Sequence, residues 1–285
     1  MKNKWGLLTS IAIGDAMGAP FEFGTRDMLK KFNVDKYPNN VGTYTDDTQM
    51  SIAVALHTYA NFDYTTGDYA SHFWGQYLND KNRPGFSRRT RAALEEDTLD
   101  GCIRSCASQM PRDTNGCVMR VLPLGYITNT EHLKQAALIQ CVVTHPLLEC
   151  IIAAQFVALM AHYYIYRSND TDLCDFMKDQ LGAESYGKVA FAWDGESEIP
   201  CNAIKTAGFC FDNMKGKSMK AILKRAIKVG GDVDSLAAIC MGLASLNKKV
   251  ENDLSDALYN DLENGEFGRD FLDSLSSKLD SRFSN

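Results

Sequence analysis

The segment GGDVDSLAAICMGLASL, residues 230–246, combines a helix-start signal with a long apolar run. Two glycines and the polar group Asp232-Val233-Asp234-Ser235 stand directly before the apolar residues Leu236 to Leu246. Acidic and hydroxyl side chains are favoured at the start of an α-helix, where they cap free backbone N–H groups and face the positive end of the helix dipole. The segment therefore predicts a buried helix with two carboxylates at its N-terminal end.

A second segment repeats this arrangement nearer the N-terminus. Thr45-Asp46-Asp47-Thr48 stands directly before the apolar run Met50 to Leu56. Capping alone would explain either group. Carboxylate and hydroxyl oxygens are also the ligands that hard divalent cations prefer, and carboxylates brought together without cations repel one another. If the two helix starts meet in the fold, they predict a binuclear metal centre.

Helical periodicity runs through most of the remaining chain. Apolar residues recur at spacings of three and four, and the sequence has no alternating strand pattern of useful length. The predicted helices are 4–18, 48–60, 65–79, 89–97, 131–142, 147–166, 171–180, 200–211, 217–228, 234–246, 252–262 and 268–280. The predicted fold class is all-α: a compact multi-helix bundle in one domain over residues 1–285, ending in a polar, solvated helical segment at 247–285.

Two irregular stretches interrupt these helices. Residues 24–44 and 80–88 are rich in Gly, Pro, Asn and Lys, and the first leads straight into Thr45. Long connections inside a compact helical domain are more often functional than decorative. Both stretches are therefore predicted to border the functional site.

Composition excludes several functional classes. The chain has 45% hydrophobic and 23% charged residues, and its net charge of −6 argues against a general nucleic-acid binder. It contains no uninterrupted apolar run of about 18 residues, so no membrane span is predicted. Nine cysteines, without a CxxC pair or a secretory signal pattern, predict reduced thiols, a cytoplasmic location and no zinc site.

Five short motifs follow one another along the chain. They are Gly14 to Phe23 (GDAMGAPFEF), Thr45 to Met50 (TDDTQM), Asn115 to Gly125 (NGCVMRVLPLG), Thr144 to Pro146 (THP) and Gly230 to Ile239 (GGDVDSLAAI). In this order and spacing, the chain resembles the ADP-ribosylglycohydrolase family, which includes dinitrogenase reductase-activating glycohydrolase, over residues 5–246. The resemblance implies an all-α hydrolase that cleaves an N- or O-glycosidic bond and releases ADP-ribose from a protein or a small molecule.

The resemblance also implies two Mg²⁺ or Mn²⁺ ions at the base of a cleft. The implied ligands are Thr45, Asp46, Asp47, Asp232, Asp234 and Ser235. The family usually has threonine at the last position, and Ser235 keeps the hydroxyl group. Glu22 and Asp47 are the implied catalytic residues. Glu22 would act as a general base or as an acid toward the leaving group; the alternative is an exposed loop carboxylate. Asp15 is expected to support the site rather than to bind a metal.

The implied substrate-binding residues are Asn115, Gly116, Cys117, Val118, Met119 and His145. The first five resemble a loop that holds the diphosphate through backbone amides, although Asn-Gly is also a common turn. Thr114 stands where the family commonly has a glycine. His145 matches a family histidine near the ligand, and the alternative for it is a structural role.

Two other functional classes compete with the enzyme. A non-catalytic ADP-ribose-binding module is the first, because some family members have lost metal ligands. Here all six matched ligand positions keep oxygen donors, which favours an enzyme. A purely structural helical protein would not explain the ordered motifs. The motifs leave the leaving group open among arginine, serine, an O-acyl group and a nucleobase, and the protein is expected to be a monomer.

Overall fold

The computed structural model describes residues 4–60, 64–81, 83–167 and 171–283, and these residues form a helical protein. Three isolated bridges are the only β-type pairing among them. The α-helices, numbered α1 to α14 in chain order, are Leu7–Gly18, Arg26–Lys30, Asp46–Ala60, Thr66–Asn79, Arg88–Leu94, Leu99–Ser108, Thr130–Val142, Leu148–His162, Leu173–Ala190, Ala203–Asn213, Met219–Lys228, Val233–Leu246, Asp256–Asn260 and Arg269–Phe283. The predicted all-α fold class is confirmed.

The helix predictions differ from the structure where apolar periodicity is weak. Helix α6 (Leu99–Ser108) was not predicted, because Cys102 is its one buried residue. Helix α2 (Arg26–Lys30) lies inside a stretch predicted to be irregular. Helix α9 runs to Ala190, ten residues past its predicted end, but it is interrupted at Gly182, where φ is 77°.

Helices α1 and α12 form the centre of the fold, and their backbones lie unusually close together. A Cβ atom on Gly14 would lie 2.2 Å from the carbonyl oxygen of Ala237, and one on Gly18 would lie 2.4 Å from the Cα atom of Asp234. Because later residues of α1 face earlier residues of α12, the two helices are antiparallel. This contact places the C-terminal end of α1 beside the start of α12, where Asp232 and Asp234 stand.

Helix α8 crosses the interior of the protein. With its π-helical continuation Tyr163–Arg167, it is long and apolar enough to cross a membrane by length and composition alone. Of that apolar window, 72% is buried inside the protein, as in the core helix of a globular fold. Glu149, Gln155 and His162 interrupt the stretch, so the chain still has no uninterrupted apolar run of about 18 residues, and this helix packs in the core.

The C-terminal segment is less solvated than its composition predicts. Helix α14 packs on α1 and α3 and buries the side chains of Leu272, Leu275 and Leu279. The buried hydroxyl of Ser276 accepts a hydrogen bond from the backbone N–H of Leu8, at 3.0 Å. This bond ties α14 to the free first turn of α1.

Candidate metal centre and active site

The two acidic helix starts meet at the C-terminal end of α1. Ser235 and Asp232 at the start of α12 lie close enough to Asp47 at the start of α3 to shift the pKa of its carboxyl group, Asp232 upward and Ser235 downward. Glu22, Asp232 and Asp234 each bring one carboxylate oxygen within 4.8 Å of the others. The fold therefore gathers predicted ligands of both segments, together with the predicted catalytic Glu22, in one place.

The glycine pair before α12 fixes the position of Asp232. Gly230 and Gly231 have φ values of 83° and 88°, in the left-handed region that favours glycine. A Cβ atom on Gly231 would lie 1.9 Å from the carbonyl oxygen of Ile199. The N–H of Asp232 donates to that same oxygen at 3.0 Å, and the N–H of Ile199 donates to Gly230 at 3.2 Å. A side chain at Gly231 would break this pairing and displace the carboxylate.

Glu22 reaches the site through a strained turn. The N–H of the next residue, Phe23, donates to the carbonyl oxygen of Gly231 at 2.7 Å. Phe23 has a φ of 47°, which is rare for a bulky side chain and persists where surrounding contacts enforce it. The hydrogen bond holds the turn against the second acidic segment, so Glu22 lies beside Asp232 and Asp234.

Asp15 supports the site from α1, as the sequence analysis expected. Its buried carboxylate accepts hydrogen bonds from the N–H and hydroxyl groups of Thr45 and of Thr48. It therefore caps α3 from a different helix. Burial raises the pKa of Asp15 to about 6, against the opposing effect of these hydrogen bonds.

Replacing Asp15 with alanine should destabilise the protein. The change leaves buried donors of Thr45 and Thr48 without an acceptor, and each such donor costs about 1–3 kcal/mol. We expect a loss of at least about 2 kcal/mol in the free energy of unfolding, measured by urea denaturation. Thr48→Ser is the matched control, because it keeps the hydroxyl that bonds to Asp15. An Asp15→Ala protein as stable as wild type would show that this carboxylate does not hold α3.

The site is crowded with negative charge. Burial, followed by the charges of Asp15 and Asp46, raises the pKa of Asp47 well above its usual range. Burial and the charges of Asp47 and Asp232 do the same for Asp234. The pKa of Glu22 is also raised, first by burial and then by Asp232.

A divalent cation fits this arrangement. Oxygen Oδ1 of Asp47 is buried and has no hydrogen-bond partner among the described residues, which is the state of a ligand atom that awaits a cation. The donors are oxygens only, as Mg²⁺ and Mn²⁺ prefer. Of the six predicted ligands, Asp232 and Asp234 lie within 4.8 Å of each other and of Glu22. Metal binding by Thr45, Asp46, Asp47 and Ser235 stays a prediction.

Metal and pH should act together on stability. A carboxyl group with a raised pKa in the folded state stabilises the protein fully below the unfolded pKa of about 4, and this stability is lost as pH rises through the folded-state pKa. For Asp15 the pH range over which this stability is lost runs from its ordinary pKa of 3.8 to its folded-state pKa of about 6. The pKa values of Asp47 and Asp234 are raised as well. Without metal, the melting temperature should therefore fall between about pH 5 and about pH 7.5.

Adding Mn²⁺ or Mg²⁺ should reverse this loss at the higher pH. A ligand that binds only the folded state adds about 2.7 kcal/mol when it exceeds its dissociation constant about a hundredfold. Thermal unfolding with EDTA and with each metal, at both pH values, tests this prediction. The same melting temperature with metal and with EDTA at the higher pH would contradict it.

Asn115 lies behind the acidic site. Its side-chain amide donates to Asp232 Oδ2 at 2.5 Å and to the hydroxyl of Thr206 at 3.1 Å, and its Oδ1 accepts from the thiol of Cys201 at 2.9 Å. Asn115 therefore orients the carboxylate of Asp232. The sequence analysis assigned it to substrate binding and gave no signal for this role.

The segment after Asn115 is largely enclosed. Cys117 and Val118 have no exposed surface, Met119 is 6% exposed, and Gly116 is partly exposed. The N–H groups of Val118 and Met119 both donate to the carbonyl oxygen of Asn115. These two amides are engaged within the turn, and contact of residues 115–119 with a ligand stays a prediction.

His145 is held between two threonines. Thr114 Oγ1 lies 2.8 Å from its Nε2 atom, and Thr144 Oγ1 lies 2.7 Å from its Nδ1 atom. Burial, with a smaller effect of Arg120, lowers the pKa of His145 to about 3. The imidazole is therefore neutral at physiological pH, and its ligand contact stays a prediction.

A cleft of about 490 Å³ opens beside these residues, and its lining includes Ser87 and Arg88 of the stretch 80–88 that was predicted to border the functional site. We call it the basic cleft, and we define it by Arg88, Arg89, Arg112, Thr114, His145 and Cys201. Arg88, the last residue of the predicted border stretch 80–88, and Arg89 after it were a usable signal, whereas Cys201 carries none. The same stretch touches the acidic site, since a Cβ atom on Gly85 would lie 1.9 Å from Asp46 Oδ1.

Comparison with known proteins agrees with this geometry. The family model described as ADP-ribosylglycohydrolase matches residues 5–285. An uncharacterized protein of Archaeoglobus fulgidus is 25% identical over 304 aligned positions, covering 95% of this chain and 94% of that protein. A solved structure described as an "ADP-ribosylglycohydrolase-related protein complex" superposes with a TM-score of 0.68 at 20% identity, covering 98% of this chain and 97% of that one. At this identity the superposition shows the shared fold, whereas the family match covers nearly the whole chain. The chain therefore belongs to the ADP-ribosylglycohydrolase family.

Proposed function

We propose that this protein is a divalent-metal-dependent hydrolase that cleaves the glycosidic bond of an ADP-ribosylated protein or small molecule and releases ADP-ribose. The observation that carries the proposal is the approach of Glu22, Asp232 and Asp234 to within 4.8 Å of one another, at a site where Asp47 Oδ1 is buried without a hydrogen-bond partner among the described residues. Membership of the family supports the same reaction class. We further propose that it acts as a monomer in the cytoplasm.

The chemistry requires a proton to move at the bond between the ribose and its substituent. Such bonds break through an oxocarbenium-like transition state. Glu22 is more exposed than the aspartates around it, and burial followed by Asp232 raises its pKa, the direction that favours a carboxyl group able to hold and donate a proton. It can take a proton from the attacking water or give one to the leaving group.

The aspartates have a different task. Their burial and crowding make them unsuited to free proton exchange with solvent and suited to holding cations. Asn115 orients Asp232, and Asp15 holds the start of α3 through Thr45 and Thr48. When bound, two cations would orient the ribose hydroxyls and lower the pKa of a water molecule. Asp47 is proposed to be catalytic in this sense, as a ligand at the centre of the site.

A release assay over a panel of substrates tests the proposal. The panel contains ADP-ribose linked to arginine, to serine, through an O-acyl ester and to a nucleobase, each with Mn²⁺, Mg²⁺ or EDTA. We expect metal-dependent release from at least one of them. Binding of ADP-ribose without turnover of any member would favour the non-catalytic binding module. Absence of both binding and turnover would reject the proposal.

A further inference from the structure

The basic cleft is lined by positively charged residues, although the protein as a whole is negatively charged. The chain carries a net charge of −6, yet the cleft is lined by Arg88, Arg89 and Arg112, and no aspartate or glutamate lines it. All three arginines are exposed residues, and within the described part of the chain none of them forms an ion pair. Asp113 directly follows Arg112 in the sequence, but its carboxylate accepts a hydrogen bond from the side chain of Asn202.

Two hydrogen bonds connect the backbone segments that carry Arg89 and Arg112. Arg89 donates from its guanidinium to the carbonyl oxygen of Met110 at 3.4 Å. In the other direction, the side chain of Gln109 donates to the carbonyl oxygen of Arg89 at 3.1 Å. These bonds join the start of α5 to the segment after α6, which leads on to Arg112. The backbone segments that carry these arginines are therefore held together by hydrogen bonds.

A chain of hydrogen bonds links the basic cleft to the acidic site. Cys201 lines the cleft, and its thiol donates to Asn115, which in turn donates to Asp232. Thr114 and His145 line the cleft between the arginines and this link. A ligand with its reacting ribose at the carboxylates could thus extend past Thr114 toward the arginines. A volume of about 490 Å³ is within the range of small-molecule sites, roughly 300–1,000 Å³.

His145 cannot supply the positive charge for such a ligand. Both ring nitrogens already have a threonine hydroxyl as hydrogen-bond partner, so neither is left to donate to a phosphate, and the ring is buried. One of these hydroxyls belongs to Thr114, where the family commonly has a glycine. Positive charge in the basic cleft therefore comes from arginines, whose planar guanidinium groups bind phosphate through paired hydrogen bonds.

We propose that Arg88, Arg89 and Arg112 bind the diphosphate of the substrate and make the enzyme select phosphate-bearing ribosides over neutral ones. This inference rests on the proposed function for the identity of the ligand. It goes further by assigning phosphate recognition to side chains of α5 and of the segment before Thr114, rather than to the backbone amides of residues 115–119, two of which already donate to Asn115.

Binding measurements on folded, metal-loaded protein test this assignment. The probes are ADP-ribose, inorganic pyrophosphate and adenosine, titrated by calorimetry into wild type, Arg88→Gln, Arg89→Gln, Arg112→Gln and the triple variant. Arg104→Gln is the matched control, since Arg104 is an exposed arginine of α6 outside the cleft. All four positions are on the surface, so the variants should fold.

We expect each arginine that contacts phosphate to contribute about tenfold to ADP-ribose affinity, and the triple variant to lose at least about a hundredfold. Arg104→Gln should bind like wild type, and adenosine should bind weakly to every variant. Added salt should weaken ADP-ribose binding to wild type more than to the triple variant.

The outcomes separate the two proposals. If wild type and the triple variant bind ADP-ribose equally, the arginine assignment is overturned and the proposed function stands. If wild type binds pyrophosphate through these arginines but does not bind ADP-ribose, the phosphate site stands and the proposed function fails. Binding of no phosphate-bearing probe to wild type would reject both.

Discussion

Replacing Glu22 with glutamine should lower the rate of ADP-ribose release by about 10²–10⁴-fold, the usual contribution of a general acid or base. Glutamine has nearly the same shape but cannot exchange a proton as a carboxyl group does. Glu22 is exposed, and the turn that carries it is held by a backbone hydrogen bond from Phe23 to Gly231, so the substitution should leave the fold intact. The measurement is single-turnover release at saturating metal.

Binding and pH controls give this prediction its specificity. Glu22→Gln should still bind ADP-ribose, and Glu196→Gln, which changes an exposed glutamate in another loop, should react like wild type. The pH dependence of the rate should lose the ionisation that belongs to Glu22, whose pKa is raised above its usual value by burial and by Asp232. Near-wild-type release by Glu22→Gln would remove this residue from the mechanism.

Replacing Asp232 with asparagine should weaken metal binding by at least about a hundredfold, more than the 10–100-fold typical of residues that only support a ligand. The variant should remain folded, because the side-chain oxygen of an asparagine can still accept the hydrogen bond that Asn115 donates at 2.5 Å. Release of ADP-ribose should fall with metal occupancy, and excess metal should restore part of it.

Asp100→Asn is the matched control for this substitution. Asp100 is also an aspartate at the start of a helix, in the first turn of α6, but it is exposed and lies outside the acidic site. Its replacement should leave metal affinity unchanged. Equal metal affinity of Asp232→Asn and wild type, measured by calorimetry, would remove Asp232 from the ligand set.

The sequence predicted the helices and the helix starts well, for local reasons. Helices such as α3 and α12 are apolar, begin with acidic residues and lie close to their predicted bounds, since apolar periodicity and helix-start residues act within a few residues. Helix α6 was missed because it buries little besides Cys102. Only the motifs and their resemblance to a family suggested that the two helix starts meet.

The contacts of some residues around the acidic site could not be predicted from the sequence, because they join residues that are far apart along the chain. Asn115 bonds to Asp232, which lies 117 positions away, and to Cys201, which lies 86 positions away. No local sequence pattern predicts either bond. Asn115 was therefore assigned to substrate binding from the family resemblance alone, and Cys201 was not considered. Asp15 was placed correctly because a carboxylate in a small, apolar helix requires partners wherever it is buried.

Titration of metal-stripped protein with Mn²⁺, followed by calorimetry and by ADP-ribose release on the same samples, tests most directly whether the acidic helix starts form a catalytic metal centre. In wild type we expect no release in EDTA, saturable Mn²⁺ binding, and a release rate that rises in proportion to Mn²⁺ occupancy. In Asp232→Asn, both the binding curve and the release curve should shift to higher Mn²⁺ concentration. Full release by the metal-stripped protein, or Mn²⁺ binding that leaves the rate unchanged, would contradict it.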